Sequence, residues 1–225
     1  MRFELNKQYG YAHIKEMERS DDAEGLIKAL EAPHVKGSSN LRAAVLAALG
    51  RVGVVQAVPV IEACLADPAD SVRRAAARVL GDLGDPAALP ALRIALDDKS
   101  KSVQLWAIQS IGLLKDRDSV DRLIAMLDSA DWGYRSYAAG ALGEIGDQRA
   151  TAPLVHHLQD RKGTVQLAVL SALRKLGDSR AVGPLREARD EAGRLRRRRF
   201  DAALRDLEAR GGRATSSVGE KWKNG

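Results

Sequence analysis

The residues best suited to chemistry in this sequence are four histidines and a single cysteine. His156 and His157 are neighbours, and adjacent side chains on a helix point about 100° apart, whereas a metal-binding pair is spaced four residues apart. His13 and His34 stand alone in the sequence. The histidines therefore predict no metal site.

Cys64 has no partner for an internal disulfide, and it lies beside Leu65 in a predicted buried helix. A reactive thiol needs a basic, exposed setting, so Cys64 is interpreted as a small core residue. No nucleophile elbow, phosphate-binding glycine loop or carboxylate pair stands out. We predict no catalytic residue and no cofactor, and we expect the chain not to be an enzyme.

The dominant pattern is a segment that recurs every 31 residues. It reads VRRAAARVLGDLGD at 72–85, VQLWAIQSIGLLKD at 103–116, YRSYAAGALGEIGD at 134–147 and VQLAVLSALRKLGD at 165–178. A fixed period of this length indicates stacked structural repeats. Apolar positions within each copy are separated by three or four residues, the spacing of one helix face. Those columns are Val45, Ala76, Ala107, Ala138, Val169 and Phe200; Leu49, Leu80, Ile111, Leu142, Leu173 and Leu204; Val52, Leu83, Leu114, Ile145, Leu176 and Leu207.

Turn residues recur at the same period. Five residues are predicted as N-caps of the second helices: Asn40, Ser71, Ser102, Gly133 and Thr164. Glycines follow those helices where a left-handed turn favours glycine, and aspartates follow the glycines, placed to cap the next first helix. They are Gly53, Gly84, Gly146 and Gly177, then Asp85, Asp116, Asp147 and Asp178. A further column, Gly50, Gly81, Gly112 and Gly143, lies within the second helix and predicts close approach of a neighbouring helix.

Each repeat is predicted to be a helical hairpin that buries its apolar face only by stacking. The fold class expected is all-α, an α-solenoid of hairpins with a 31-residue HEAT-like repeat. We expect a capping helix in 1–20, about six repeats in 21–208 with the last one atypical, and a flexible basic tail in 209–225.

The pattern VR-x-x-A-A-x-x-LG-x-LGD resembles the short HEAT-like repeats named after phycobilisome lyases, over roughly residues 20–208. The resemblance implies the solenoid fold. Similar repeats occur in bilin lyases, a di-iron hydroxylase, DNA repair enzymes and adaptors, so the resemblance implies no single activity. The hydroxylase binds iron through His-Glu dipeptides, and no histidine here precedes a glutamate.

Composition is consistent with a globular chain, with 45% hydrophobic residues, a net charge of +6 and an isoelectric point near 9.6. The N-terminal residues contain no apolar block typical of a signal peptide, and the longest apolar run, 43–50, is too short to cross a membrane. We expect a cytoplasmic protein without membrane association. The oligomeric state is not predicted.

The columns that vary between repeats point to a binding surface. On the second helix, a ridge facing away from the apolar face carries unlike residues in successive copies, and in bending solenoids these helices line the concave side. Aromatic residues gather in the same region, although Trp106 and Tyr134 could instead fill gaps in the core. The predicted partner-binding residues are Arg74, Arg78, Leu105, Trp106, Gln109, Leu113, Trp132, Tyr134, Tyr137 and Leu167.

Two groups of arginines have alternative interpretations. Arg42, Arg73 and Arg135 share a column with Gln104 and Gln166, either as a basic stripe or, as we favour, as a ladder of bonds between repeats. The sixth repeat carries an arginine run that could be a polar cap of the stack or a patch for an anionic partner. The candidate patch is Arg194, Arg196, Arg197, Arg198 and Arg199.

The function expected from these patterns is a scaffold or adaptor that binds a protein or peptide on the second helices. The alternatives are weak, salt-sensitive nucleic-acid binding, suggested by the arginine run, and a bilin lyase or isomerase subunit, implied by the resemblance alone.

Overall fold

The computed structural model describes residues 9–219, apart from the side chains of 194–196 and 210–219. Within that range the chain forms fourteen α-helices and six short 3-10 turns, with no strand. The predicted all-α solenoid of helical hairpins is therefore confirmed. The helices fall into two compact units, residues 1–114 and 115–225.

The described part of the first unit, residues 9–114, contains eight helices in three stacked hairpins preceded by one extra helix. The second helices of the hairpins, α4, α6 and α8, pack side by side. The helices are α1 (Tyr11–Arg19), α2 (Ala23–Glu31), α3 (Pro33–Lys36), α4 (Ser39–Val52), α5 (Val58–Ala63), α6 (Asp70–Leu83), α7 (Leu89–Ala95) and α8 (Lys101–Leu113).

The second unit, as far as it is described to residue 219, contains six helices in three more hairpins. Its second helices, α10, α12 and α14, again pack in sequence. The helices are α9 (Val120–Met126), α10 (Trp132–Ile145), α11 (Thr151–His156), α12 (Gly163–Leu176), α13 (Val182–Glu191) and α14 (Arg194–Gly219).

The repeated apolar columns form the core of both units. The columns that begin at Val45 and Leu49 are buried in all six copies. The column that begins at Val52 is only half-buried in most copies, because it lies at the helix end where the chain turns. Stacking of hairpins thus buries the two central columns that the sequence predicts.

The predicted turns are confirmed on the side where each second helix ends. Gly53, Gly84 and Gly146 each have φ of 75°, the left-handed conformation that glycine adopts without strain. The aspartates that follow accept hydrogen bonds from backbone N–H groups two residues later and begin the next hairpin. In the third repeat Lys115 replaces the glycine and also has a positive φ, 55°.

The predicted N-caps are wrong by two residues. The second helices begin earlier, with Ser38, Ala69, Ser100, Asp131 and Lys162 at the N-cap positions. Three of those residues are themselves capped from the preceding loop: the carboxylates of Asp67, Asp98 and Asp160 accept the N–H groups of Ala69, Ser100 and Lys162. Each of these aspartates binds the N–H of the N-cap residue itself, immediately before the first helical turn.

The two ends depart from the regular hairpin. Helix α1 packs against α2 and α4, and its Ile14 and Met17 are buried. At the other end α14 continues as helix to Gly219, beyond the predicted boundary at 208. Residues 1–8 and 220–225, which belong to the predicted cap and tail, lie outside the described residues.

Among the residues that the structure describes, no helix combines the length and apolar character needed to cross a membrane.

Candidate partner-binding surface

The outer face of α10 carries two exposed aromatic residues, Trp132 and Tyr137. Asp131 caps the helix by accepting the N–H of Gly133 at 2.8 Å, and this places Trp132 in the first turn. Trp132 is 47% exposed and Tyr137 is 36% exposed. Both of these predicted partner-binding residues are therefore accessible to a partner.

Gly140 lies farther along the same face, and nothing stands within 4 Å of the position that a Cβ atom would take there. Glycine in a helix costs about 1 kcal/mol relative to alanine. The packing of this chain does not require the absence of a side chain at 140. The helix backbone is therefore left accessible beside two exposed aromatic rings.

Leu167 and a pair of opposite charges complete this surface. Leu167 on α12 occupies the position that Ser136 holds on α10, and it is 45% exposed. At the far end of α10, Glu144 forms an ion pair with Lys175 of α12. An apolar and aromatic centre bounded by charges is the usual composition of a protein interface. We call Trp132, Tyr137, Gly140 and Leu167 the α10–α12 surface.

In the first unit, the variable columns of the second helices α6 and α8 carry more polar side chains than in the second unit. The guanidinium of Arg78 lies 6.0 Å from the centre of the Trp106 ring and also pairs with Asp82 at 2.7 Å. Arg74 and Gln109 are exposed, and Leu113 is 45% exposed. Trp106 is half-buried, with its ring facing the Arg78 guanidinium.

Two predicted surface residues are less accessible than expected. Leu105, interpreted as exposed, is half-buried. Tyr134 is also half-buried, in a column where Val72, Val103 and Val165 are fully buried. A tyrosine is too large for the space of a valine and keeps a polar hydroxyl, so part of the ring reaches the surface.

The arginine column forms the predicted ladder between repeats. Arg73 donates from Nε and Nη2 to the two carboxylate oxygens of Asp98, at 2.7 and 2.9 Å, and Arg135 binds Asp160 in the same way. Each guanidinium also donates to backbone carbonyls five and six residues before it. These arginines are almost completely buried, so they hold adjacent hairpins together and do not form a basic stripe. We call each such arginine with its carboxylate a clamp.

The clamps also set the ionisation of their aspartates. Hydrogen bonding from Arg73 holds the pKa of Asp98 below its ordinary value, and Arg135 does the same to the pKa of Asp160. Sequence reasoning missed these carboxylates. The sequence does contain a signal for them. An aspartate stands 25 residues after each of Arg42, Arg73 and Arg135, whereas a glutamate, Glu191, stands 25 residues after Gln166.

The arginine run of the sixth repeat is only partly available to a ligand. Arg197 occupies the clamp column, 31 residues after Gln166, and it donates to the carbonyls of Ala192 and Asp190 at 3.0 and 3.1 Å. Arg198 and Arg199 are exposed. The side chains of Arg194 and Arg196 lie outside the described residues.

Acidic residues of α14 compensate the charge of neighbouring arginines. Asp206 pairs with Arg174 of α12, and Glu208 pairs with Arg186 of α13. The positive charge at this end is therefore divided among ion pairs, which lowers the electrostatic attraction available to a polyanion.

The histidines and the cysteine form no constellation for chemistry. His157 pairs with Asp128 at 3.3 Å, its ring is perpendicular to that of His156, and the described residues contain no cluster that could hold a metal ion. Cys64 is half-buried, its thiol donates to the Val60 carbonyl, and burial raises the pKa of the thiol to about 11. A thiol with that pKa is a poor nucleophile near neutral pH.

Comparison with known proteins identifies the repeat. The family model for HEAT repeats matches residues 23–112, 92–166 and 120–205. The chain belongs to the HEAT-repeat family. The predicted HEAT-like repeat is thus confirmed over most of the chain. No curated protein matches the sequence.

Several solved HEAT and armadillo structures share the fold. The X-ray structure of the Escherichia coli protein YibA aligns with a TM-score of 0.60 at 22% identity, covering 86% of this chain and 70% of that one. The CpcE–CpcF complex of phycocyanin lyase from Nostoc aligns with a TM-score of 0.57 at 21% identity, covering 88% of each chain. A designed armadillo repeat protein in complex with a (KR)4 peptide aligns with a TM-score of 0.53 at 20% identity, covering 86% and 98%. At these identities the similarity concerns the fold.

Proposed function

We propose that this chain is a non-enzymatic scaffold that binds a protein or peptide on the second-helix surface, the concave side in solenoids that bend. The observation that carries the proposal is the α10–α12 surface. Trp132, Tyr137 and Leu167 expose large apolar groups on second helices whose opposite faces are buried. The first unit also exposes residues of the variable columns, Arg74, Gln109 and Leu113.

Trp132 is the strongest anchor candidate. Tryptophan and tyrosine are enriched among the residues that dominate binding energy, since they bury much area and lose little conformational entropy. Gly140 lets a partner approach the helix backbone closely, eight residues beyond Trp132. A bound segment would therefore be held between an aromatic ring and an open stretch of helix.

The first unit supports the same function with different chemistry. Its Arg78 and Trp106 form a cation–π contact, and Leu113 is exposed nearby on α8, in the same set of variable columns. Mixed aromatic, arginine and leucine side chains favour a peptide or protein ligand over a polyanion, whose binding depends on unpaired positive charge.

The test is affinity capture with the full chain from nuclease-treated extract, comparing wild type with Trp132→Ala. Truncating an anchor costs about 2 kcal/mol, so capture of the main partner should fall roughly 30-fold. The melting temperature should stay nearly unchanged, since an exposed substitution alters stability by about 0.5 kcal/mol or less.

Ile94→Ala is the matched control. Ile94 is the most exposed large apolar residue described, at 76%, but it lies on the first helix α7 and outside the proposed surface. The Ile94 variant should capture the partner as wild type does. If capture survives both Trp132→Ala and Leu167→Ala, the proposed surface is wrong.

A further inference from the structure

A cavity of about 120 Å³ lies between the last two hairpins of the second unit. Gln166 of α12, Gln159, Glu191 and Phe200 contribute to its lining, together with small apolar residues of the same hairpins. This volume holds several water molecules. The cavity lies among the residues that would form the next clamp of the ladder.

The cavity is a clamp without its arginine. Gln166 stands 31 residues after Arg135, and Glu191 stands 31 residues after Asp160. At the preceding junction the Arg135 guanidinium binds the Asp160 carboxylate through two hydrogen bonds, at 2.7 and 3.0 Å. Glutamine is shorter than arginine and carries no charge, so Gln166 cannot provide the guanidinium that the other junction contains.

The polar groups left around the cavity are suited to a cation. Gln166 is 5% exposed, and it lines the cavity. Glu191 accepts a hydrogen bond from the Gln159 amide on one oxygen, Oε2. A buried amide oxygen and a carboxylate oxygen are acceptors for the N–H groups of a guanidinium.

We propose that this cavity binds the guanidinium group of an arginine residue presented by a protein or peptide partner. The ligand replaces the missing clamp arginine: its N–H groups donate to the Glu191 carboxylate and to the Gln166 amide oxygen, and its apolar stem lies against Phe200. A guanidinium fits better than an ammonium because its planar fork donates to both acceptors at once. The site is separate from the α10–α12 surface and does not depend on it.

The test is NMR titration of the full chain, following the side-chain amide signals of Gln166 and Gln159. The probe is N-acetyl-arginine-amide, with N-acetyl-citrulline-amide as the neutral isostere and N-acetyl-lysine-amide as the ammonium control. We expect the arginine probe to shift both amide signals and to bind at least about tenfold more tightly than either control, because it alone makes the paired charged bonds. Equal binding of citrulline, or no shift with any probe, would overturn the proposal.

Two variants locate the site. Gln166→Arg fills the cavity with the protein's own guanidinium, so the arginine probe should no longer shift Gln159. Glu191→Gln removes an exposed carboxylate, and should weaken binding of the probe about tenfold. If the probe still binds to both variants as to wild type, the guanidinium is bound elsewhere and the proposal is wrong. Tighter binding of free arginine than of the blocked probe would exclude a peptide as the source.

Discussion

Gly140 and Gly143 lie three residues apart on α10, and they serve opposite purposes. A Cβ atom added at Gly143 would lie 2.6 Å from the Cα atom of Ala172 on α12, a distance that packed atoms do not adopt. The same atom added at Gly140 would meet nothing within 4 Å. Gly143 is therefore required by the neighbouring hairpin, whereas the fold of this chain does not require glycine at position 140.

The difference between Gly140 and Gly143 shows that the two faces of α10 are under different sequence constraints. Positions that face the next hairpin repeat at 31 residues because every copy meets the same neighbour. Positions on the outer face vary between copies because the stacking of hairpins does not require the same residue in every copy. Replacements on the inner face should therefore change stability, and replacements on the outer face should change binding.

The largest expected effect on stability belongs to Leu142, which is fully buried on the inner face of α10. Leu142→Ala leaves a cavity and should lower the free energy of unfolding by about 2–5 kcal/mol. Chemical denaturation monitored by circular dichroism measures this change. A loss below about 1 kcal/mol would mean that the inner face is not packed as described.

Asp178 should make stability depend on pH in the acidic range. Hydrogen bonds from Arg180, with help from Thr151, lower the pKa of this buried carboxyl to about 2 from 3.8. Since the folded state prefers the ionised form, the stabilisation is complete above the unfolded pKa near 4 and is lost as pH falls towards 2. Its size is about 1–2 kcal/mol, reduced because Arg180 is exposed to solvent.

Melting curves of wild type and Asp178→Asn between pH 2 and 7 would measure this contribution. The difference in melting temperature should be constant above about pH 5 and should shrink to near zero at about pH 2. A difference that does not depend on pH would show that the effect comes from packing or hydrogen bonding alone.

Gly143→Ala should cost about 1–3 kcal/mol, because α10 and α12 must separate to admit the methyl group. The expected sign is opposite to that of an ordinary helix, where alanine is more stable than glycine. Thermal denaturation against wild type gives the answer, and a stabilised Gly143→Ala protein would contradict the close helix contact.

The sequence was sufficient to predict the solenoid because periodic columns report directly on stacking. The burial of Val45, Leu49 and their counterparts and the left-handed glycines after the second helices were all predicted. The N-caps were not, because these helices begin two residues earlier than the predicted capping residues, at Ala69 in one case, which no capping preference indicates. Aspartates of the preceding loops accept the N–H groups of Ala69 and Ser100 at those starts.

The clamps show how far the sequence alone could predict the candidate site. The arginine column was visible in the sequence, but the carboxylates 25 residues later were not recognised because they lie in loops. Arg197, predicted as part of a patch for an anionic partner, is exposed, and it also occupies the clamp column and donates to backbone carbonyls. Exposure of Leu105 was overestimated, since helical spacing gives the direction of a side chain but not the size of its neighbours.

The most direct test of the account is Gly140→Leu, with stability and capture measured on the same protein. Gly140 is half-buried, but a Cβ atom there would meet nothing within 4 Å. Leucine at this position should therefore raise the free energy of unfolding by about 0.5–1 kcal/mol, since it is a better helix former than glycine. It should also cover the backbone between Tyr137 and Glu144 and reduce partner capture to the level of Trp132→Ala. A more stable protein that no longer captures its partner is the predicted result. A more stable protein that captures its partner as well as wild type would contradict the claim that this face of α10 is a binding surface.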